Sequence, residues 1–284
     1  MSGGGFSPTV RLWQLAARLR ELRGSAGHTI EDVAKELMCS PAKVSRMESA
    51  GRGIQPRDVR DLARFYQISN SEREELELLL RDSRKRGWWQ DFGITDADTL
   101  TFYGLEEAAS LIRVADARAV HGLLQTEAYM KALLTGLRPP DDPWQGGIDD
   151  LVAARLERQK RFWDSGRELQ FIMDEGSITR TIGSREVLRE QLSRLVDIAH
   201  TQQVTIRILP FDRGSSPMID GSFQILSFPD QMIPDTVYVE GLVGMFVIDK
   251  KEKVDEYVKY WNHISDHLAL PPDQSIDWLS ARAA

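Results

Sequence analysis

The sequence predicts an α+β protein in two parts, an all-α region over residues 1–86 and a mixed α+β region after it. The first part repeats apolar residues at helical spacing and places capping residues between the repeats. Short runs of branched and aromatic residues, typical of strands, begin only beyond about residue 104. The charge also changes: residues 1–86 carry 16 basic and 12 acidic residues, a net charge of +4, whereas residues 87–284 carry 20 and 31, a net charge of −11.

Length and composition are those of a protein with buried cores. The 284 residues suffice for about two domains, and 42% of them are hydrophobic. The sequence has no run of about 18 apolar residues, and its start, MSGGGFSPTV, lacks a basic segment followed by an apolar one. We therefore expect a cytoplasmic protein that does not contact a membrane. The single cysteine, Cys39, excludes an intrachain disulfide, and it is either a small half-buried residue or a redox-sensitive thiol.

Three helices are predicted first. One carries a row of apolar residues on a single face, at Leu12, Leu15, Leu19 and Leu22. The second begins after Thr29, whose hydroxyl is suited to accept from the unpaired N–H groups of the first turn, with Asp32 at the reciprocal capping position. The third begins after Ser40, a second N-cap, with Pro41 where a helix has no N–H bond to lose. The pattern predicts a helix, a tight turn and a helix.

Two more helices and a connector complete the first part. The fourth helix has its apolar face at Val59, Leu62, Ala63 and Tyr66. The fifth is predicted to begin with a capping box from Ser71 to Glu74. It ends in the basic residues 84–86, which either complement the helix dipole or contact a DNA backbone. Residues 87–103, which include Trp88, Trp89 and Phe92, are predicted to form an aromatic connector rather than a flexible linker.

The exposed face of the third helix has the composition of a DNA-reading surface. Val44 and Met47 suffice to anchor the helix inward, so its other side chains project outward. Arginine donates two hydrogen bonds to a guanine edge, whereas lysine, serine and a helix N-terminus suit phosphate oxygens. We predict base contacts from Arg46 and Ala42. The full predicted DNA interface consists of Thr29, Ser40, Ala42, Lys43, Ser45, Arg46 and Arg52. The alternative is a helical bundle that only packs.

Residues 18–66 resemble the helix-turn-helix domain of the Cro and phage-repressor type, in the stretches RLRELRGSAGHTIEDVAKEL and SPAKVSRMESAGRG. The resemblance implies a sequence-specific transcriptional regulator that binds a double-stranded operator. It also implies an ion pair between Arg23 and Glu48 that ties the first helix to the third. We expect a homodimer, because one recognition helix reads only a few base pairs and symmetric half-sites about 34 Å apart add affinity.

The mixed region, residues 104–284, is predicted to alternate helices with short strands. Helices are expected at 104–120, 126–134, 148–163 and 186–200, and a last long helix from 254 to 268. Strands are expected at 169–173, 204–209, 222–228, 236–239 and 244–248. The segment LRPPDDPWQGG, residues 137–147, is predicted to be a loop.

The mixed region is similar to the domain of unknown function that follows the helix-turn-helix in WhiJ-type regulators of actinobacteria, which is also labelled antitoxin-like. The matching stretches are GLLQTEAYMKALL, ARLERQ, LQFIMDEGSITRTIG, QLSRLVDIA, VTIRILPF and DGSFQILSFP. One departure is His121, where that family has proline before GLLQT. The resemblance implies a domain that senses a small ligand or binds a small partner protein encoded nearby. The alternative is an antitoxin-like module that neutralises a partner and autoregulates its operon.

The sequence specifies neither a catalytic nor a metal site. His263 and His267 have the spacing of two metal ligands, but we expect them on the solvated face of the last helix. Asp174 and Glu175 follow a strand, where neighbouring side chains point to opposite faces and do not flank one bond. We therefore predict no metal, no cofactor and no enzymatic activity. An enzyme with an attached DNA-binding domain remains the rival hypothesis, and it requires a polar pocket with converging titratable groups.

Arg155, Arg158 and Gln159 form one further candidate site. They lie three and four residues apart on one predicted helix face and present donors to an anionic ligand or partner. Asp174 and Glu175 belong to the same candidate site. A structural salt bridge from the arginines to one of these two carboxylates is the equally supported alternative.

Overall fold

A computed structural model of the chain describes residues 7–51, 53–94, 96–138, 147–229, 233–241 and 244–283. The chain divides into two compact units. The first is formed mainly by residues 6–88, and the second mainly by residues 89–229 and 234–284. The first unit is helical and the second contains a six-stranded sheet, so the predicted α+β class is confirmed.

The first unit contains the five predicted helices: α1 Pro8–Ser25, α2 Ile30–Glu36, α3 Pro41–Glu48, α4 Pro56–Phe65 and α5 Asn70–Ser83. The capping predicted for α2 is confirmed. The Thr29 hydroxyl accepts from the Asp32 N–H at 3.1 Å, and the Asp32 carboxylate accepts from the Thr29 N–H at 2.9 Å. The apolar faces of the five helices meet in one core. Its buried members include Leu15, Leu19, Val33, Val44, Met47, Val59, Leu62 and Leu76.

The start of α5 differs from the prediction. The N-cap is Ser69 rather than Ser71, and its hydroxyl accepts from the Glu72 N–H at 3.2 Å. The Glu72 carboxylate accepts in return from the Ser69 N–H at 3.0 Å. The segment SNSERE contains two overlapping copies of the capping-box motif, at 69–72 and 71–74. The chain uses the earlier copy, which starts the helix two residues sooner.

The second unit is built on one mixed sheet. Its strands are β1 Leu111–Asp116, β2 Glu168–Asp174, β3 Val204–Leu209, β4 Phe223–Ser227, β5 Thr236–Glu240 and β6 Met245–Ile248. Their order is β3-β2-β1-β4-β5-β6, with β1, β2 and β3 parallel and the remaining pairs antiparallel. The five predicted strands are therefore confirmed as β2 to β6, and β1 is an additional central strand.

The helices of the second unit include two that the sequence did not predict and one, α6, that it predicted only in its last residues. The helices are α6 Ala97–Ala108, α7 Glu127–Leu137, α8 Ile148–Ser165, α9 Glu175–Thr179, α10 Arg185–Ala199, α11 Lys251–His263 and α12 Pro272–Ala283. A π-helical turn, Ile264–Leu268, continues α11. The unpredicted helices are α9 and α12, and α6 begins inside the predicted connector. Most of the loop predicted at 137–147 lies outside the described residues.

The helix predicted at 104–120 is confirmed only over residues 104–108 and is wrong beyond them. Residues up to Ala108 belong to α6, but Leu111–Asp116 is strand β1, which lies between β2 and β4 at the centre of the sheet. A strand covered on both faces lacks the regular alternation of apolar and polar residues that identifies a half-exposed strand. The apolar residues of β1 therefore extended the helical pattern of α6 without a break in periodicity.

The two faces of the sheet differ in polarity. One face packs against α11 in an apolar cluster that includes Ala115, Ile172, Phe223, Ile225, Val237 and Trp261. On the other face, Phe102 of α6 stacks on Tyr238 of β5 with ring centroids 4.1 Å apart. The guanidinium of Arg158, from α8, lies 5.1 Å from the centroid of the Phe102 ring. Buried charge is therefore found on the second face.

Candidate nucleic-acid interface

Helix α3 has the predicted outward face at Ala42, Ser45 and Arg46, whereas Lys43, predicted to project outward with them, is half-buried. The Ser40 hydroxyl accepts from the Lys43 N–H at 3.2 Å and so caps the helix. Val44 and Met47 are buried in the core of the first unit. The exposed side is formed by Ala42, Ser45 and Arg46. This spacing leaves a small side chain, a hydroxyl and a guanidinium together on the solvent side of one short helix.

The turn between α2 and α3 is compact. Met38 has a positive φ of 48°, a left-handed conformation, and its side chain is exposed. The Cys39 N–H donates to the Ala34 carbonyl at 2.9 Å, which closes the end of α2. Cys39 is half-buried, which agrees with its predicted role as a small, partly buried residue. Thr29, at the start of α2, already donates its hydroxyl to Asp32 at 2.8 Å.

The orientation of α3 is fixed by the ion pair that the resemblance implied. Arg23 Nε lies 2.7 Å from Glu48 Oε1, and Arg23 Nη2 lies 2.9 Å from Glu48 Oε2. Arg23 also donates to the His28 carbonyl at 3.0 Å, and Arg20 donates to the Glu48 carbonyl. The Glu48 side chain is only 7% exposed. The hydrogen bond to Glu48 raises the pKa of Arg23, so the guanidinium stays charged.

Lys43 has a partner within the protein that the sequence did not indicate. Its Nζ lies 2.9 Å from Oδ1 of Asp58, a side chain that is 4% exposed. The other oxygen of Asp58 accepts from the Gln55 N–H at 2.9 Å, at the start of α4. Lys43 therefore joins α3 to α4, and a phosphate contact by Lys43, which stays a prediction, requires competition with Asp58.

Arg46 is the exposed charge on α3. Among the described residues, no side chain or carbonyl accepts a hydrogen bond from its guanidinium. Gly51 follows closely, since its N–H donates to the Arg46 carbonyl at 2.7 Å and a Cβ at this position would lie only 2.7 Å from that oxygen. This close approach favours glycine at position 51, where the chain turns back after the end of α3 at Glu48. Arg52, also predicted to contact DNA, lies outside the described residues.

Two family models match the chain. One, described as a helix-turn-helix domain, matches residues 14–76. The other, described as a domain of unknown function (DUF5753), matches residues 99–281.

The chain belongs to the DUF5753 family.

Its helix-turn-helix match covers α2 and α3 and points to DNA binding. No curated protein and no solved structure matches the chain. In the described part of the chain, no helix is long and apolar enough to cross a membrane.

In the DUF5753 domain, two of the predicted site residues hold the segment GLLQT, residues 122–126. Gln159 Nε2 donates to the carbonyls of Gly122 and Gln125, at 2.8 and 2.9 Å. Arg155 donates to Gln125 Oε1 at 3.2 Å. Gln191 of α10 donates to the Leu124 carbonyl at 2.9 Å and accepts from the Thr126 N–H at 2.7 Å. The stretches GLLQT and ARLERQ of the DUF5753 domain therefore contact each other directly.

Arg158 forms a buried ion pair with Glu106 of α6. Arg158 Nε lies 2.7 Å from Glu106 Oε1, and Nη2 contacts Oε2. The Glu106 side chain is 2% exposed. Burial opposes its charge, but the charge and hydrogen bonds of Arg158 hold the pKa of Glu106 below its ordinary value. The predicted alternative, a salt bridge from Arg158 to Asp174 or Glu175, is wrong. The partner of Arg158 is Glu106, which lies within the helix predicted at 104–120.

Asp174 and Glu175 lie at a different place and hold loops. Asp174 caps α9, with its carboxylate accepting from the Gly176 N–H at 2.7 Å. Glu175 accepts from the Phe211 N–H at 2.9 Å and lies 3.6 Å from Arg282. Both carboxylates thus have partners inside the DUF5753 domain, and they do not join Arg155, Arg158 and Gln159 in one site.

Other polar groups of the DUF5753 domain do not form a metal site among the described residues. His263 and His267 are exposed, with ring centroids 5.5 Å apart. Across the described ranges, no three His, Cys, Asp or Glu side chains are grouped to hold a metal ion. A shallow surface depression lies at the ends of β1 and β5 and is lined partly by Asp116, Arg118 and Glu240. Arg118 lies 3.4 Å from Asp116 and 3.5 Å from Glu240, so these charges pair with one another.

His121, the departure from the resembling family, is buried beside the Arg158 pair. Its Nδ1 accepts from the Leu123 N–H at 3.4 Å, and its ring meets the edge of Phe171 with centroids 5.8 Å apart. Burial, together with the charge of Arg158, lowers the pKa of His121 to about 4, although Glu106 and Asp116 act in the opposite direction. His121 is therefore neutral in the folded protein at neutral pH.

We expect His121 to make folding stability fall as the pH is lowered from about 6.5 to about 4. In that window the unfolded chain binds a proton at His121 and the folded chain does not, so protonation favours unfolding. Thermal unfolding at pH 7 and pH 5 will show a smaller loss of stability for His121→Gln than for the native chain. The exposed His200→Gln is the control and should keep the native loss. An equal loss in all three proteins contradicts the prediction.

Proposed function

We propose that the protein is a sequence-specific DNA-binding transcriptional regulator that reads its operator with α3. The observation that carries the proposal is the exposed Arg46 beside Ala42 and Ser45, on a helix held in place by Arg23 and Glu48. The helix-turn-helix match over residues 14–76 supports DNA binding by this unit. The resemblance to the Cro and phage-repressor type supports the finer assignment as a regulator.

Each exposed group on α3 suits a different part of a DNA duplex. Arg46 is placed to donate two hydrogen bonds to a guanine edge, and the Ala42 methyl suits the methyl group of thymine. Ser40 and the first N–H groups of α3 suit a phosphate, which positions the helix without selecting sequence. Thr29, Lys43, Ser45 and Arg52 complete the proposed interface.

We expect Arg46→Ala to weaken binding to the operator by about 1–3 kcal/mol, a loss of roughly fivefold to 150-fold, and to relax selection at one base position. The operator is first selected from random duplexes with the native chain, and affinities are then measured by fluorescence anisotropy. Arg73→Ala, which removes an exposed arginine from α5, is the matched control and should leave affinity unchanged. Native affinity in the Arg46 variant would exclude base reading by this residue.

We further propose that the regulator acts in the cytoplasm as a homodimer on two half-sites about 34 Å apart, because one short helix reads too few base pairs to be specific alone. Footprinting of the selected operator tests this through the spacing of protected segments. A protected region that covers one half-site, bound by one chain as measured by mass photometry, contradicts it.

For the DUF5753 domain we propose an effector role: it binds a small ligand or a small partner protein encoded nearby, as the resemblance to WhiJ-type regulators implies. Arg155, Arg158 and Gln159 are engaged by the domain's own groups, so the proposed binding role does not rest on these three side chains. Genome-wide footprinting with and without the neighbouring small protein tests the role. Altered occupancy supports it. The antitoxin-like alternative predicts in addition that occupancy is confined to the protein's own operon.

A further inference from the structure

Three arginines form an exposed row along α4. Arg57, Arg60 and Arg64 follow one another at intervals of three and four residues, which places them on one face of the helix. The opposite face is buried and carries Val59 and Leu62. The Arg57 side chain is 76% exposed, and Arg60 and Arg64 are also exposed. We name these three residues the arginine stripe.

The charges of the arginine stripe are poorly neutralised by the described part of the first unit. Arg57 Nε lies 3.9 Å from Asp58 Oδ1, but the same oxygen is held by Lys43 at 2.9 Å. Arg60 and Arg64 form no ion pair with any described residue. Asp61 lies beside the stripe and is half-buried, and it too forms no ion pair within the described ranges. Even with Asp61 counted, the stripe keeps a net charge of +2.

Several other arginines of the first unit have partners. Ion pairs join Arg18 to Glu21, Arg23 to Glu48 and Arg73 to Glu77. Arg84 donates to the Ile54 carbonyl at 2.9 Å. Among the described residues, Arg60 and Arg64 thus have no carboxylate partner and Arg57 shares Asp58 with Lys43, in a region whose net charge is +4 over residues 1–86. An unpaired row of this kind suits a polyanionic partner.

The arginine stripe begins next to the recognition helix. The bond between Lys43 of α3 and Asp58 of α4 brings the first turns of the two helices together, and Arg57 directly precedes Asp58. Seven residues of helix cover about 10 Å, whereas the phosphates of one DNA strand recur about every 3.4 Å along the axis. The stripe therefore has the length of a short run of phosphates on one strand.

We propose that the arginine stripe binds the phosphate backbone of DNA beside the bases that α3 reads. The proposal rests on the proposed function of the first unit and adds a second surface to it. Guanidinium groups bind phosphate oxygens with paired hydrogen bonds, and backbone contacts raise affinity for every sequence alike. The arginine stripe attracts the phosphates of any DNA sequence. Lys43 contributes less to this attraction, because its charge is paired with Asp58.

The test compares two double variants of the full chain with equal changes of charge. Arg60→Gln with Arg64→Gln removes two charges from the stripe, and Arg73→Gln with Arg81→Gln removes two exposed charges from α5. Arg57 is left in place because it adjoins the bond between Lys43 and Asp58. Affinities for the selected operator and for a scrambled duplex are measured over a series of KCl concentrations, and circular dichroism verifies that each variant is folded.

The stripe variant is expected to lower the slope of log affinity against log salt by about 1.8, that is 0.9 for each lost phosphate contact. Its affinities for operator and scrambled duplex should fall by the same factor, and the α5 variant should keep the native slope. An equal reduction in both variants would indicate a general charge effect and overturn the proposal. An unchanged slope in the stripe variant overturns it as well.

Failure of the stripe and failure of the proposed function give different results. If the slope is native in the stripe variant but Arg46→Ala still loses operator affinity, the stripe alone is rejected. If the native chain selects no operator and binds no duplex, both proposals are rejected together. A changed ratio of operator to scrambled affinity, without a changed slope, would assign base contacts to the stripe and would also overturn a backbone role.

Discussion

Replacing Glu106 by glutamine is expected to destabilise the DUF5753 domain by about 3–5 kcal/mol, because it leaves the Arg158 guanidinium buried without a counter-charge. The substitution preserves the volume of the side chain, so packing around Phe102 changes little. Urea unfolding of the full chain, followed by tryptophan fluorescence and circular dichroism, measures the loss. We expect the unfolding midpoint of the second unit to move to a lower urea concentration and the midpoint of the first unit to stay unchanged.

The control for Glu106 is a carboxylate in a partly exposed ion pair. Glu157 lies 2.9 Å from Arg161 on the surface of α8, and Glu157→Gln should cost less than about 1 kcal/mol. Replacing both Glu106 and Arg158 by methionine should recover part of the loss, since no unpaired charge then remains in the interior. Similar losses for Glu106→Gln and Glu157→Gln would show that burial of the pair has little energetic importance.

Arg23→Ala is expected to destabilise the first unit by about 3 kcal/mol, because Glu48 then remains almost fully buried without its cation. The substitution also removes the link between α1 and the end of α3, so operator affinity should fall even where the unit is still folded. Thermal unfolding measures the first effect. Anisotropy at a temperature well below the new midpoint measures the second.

Two further variants separate charge from packing at this position. Arg23→Ala combined with Glu48→Gln removes the buried unpaired charge and should restore part of the stability. Arg18→Ala removes an arginine whose pairs with Glu21 and Glu72 are partly exposed, and it should cost less than about 1 kcal/mol. A loss in Arg18→Ala as large as that in Arg23→Ala would refute the special role of Glu48.

The helices of the first unit were predictable because their signals are local. A cap, a proline at the first turn and an apolar face lie within one helix, so Thr29, Ser40 and Pro41 specify α2 and α3 without knowledge of the fold. Ser69 shows the limit of this reasoning, since two equivalent caps stand two residues apart. Strand β1 shows another limit, because coverage of both faces depends on elements far along the chain.

The partners of charged side chains were harder to predict than the elements that carry them. Arg158 was correctly placed on a helix face with Arg155 and Gln159, but its partner Glu106 lies 52 residues earlier and meets it only in the folded domain. Lys43 was correctly placed at the start of α3, yet its bond to Asp58 depends on how α4 packs. Spacing determines which side of a helix a residue occupies, whereas tertiary packing determines what it contacts.

The contacts of the GLLQT segment have a consequence for the order of folding. Its carbonyls receive donors from Gln159 and Gln191, which lie 34 to 67 residues further along the chain. Neither α8 nor α10 offers these donors until it has docked, so residues 122–126 complete their native hydrogen bonds only after both helices are in place. A fragment that stops before α10 would leave the Leu124 carbonyl without its donor. We expect such a fragment not to fold stably.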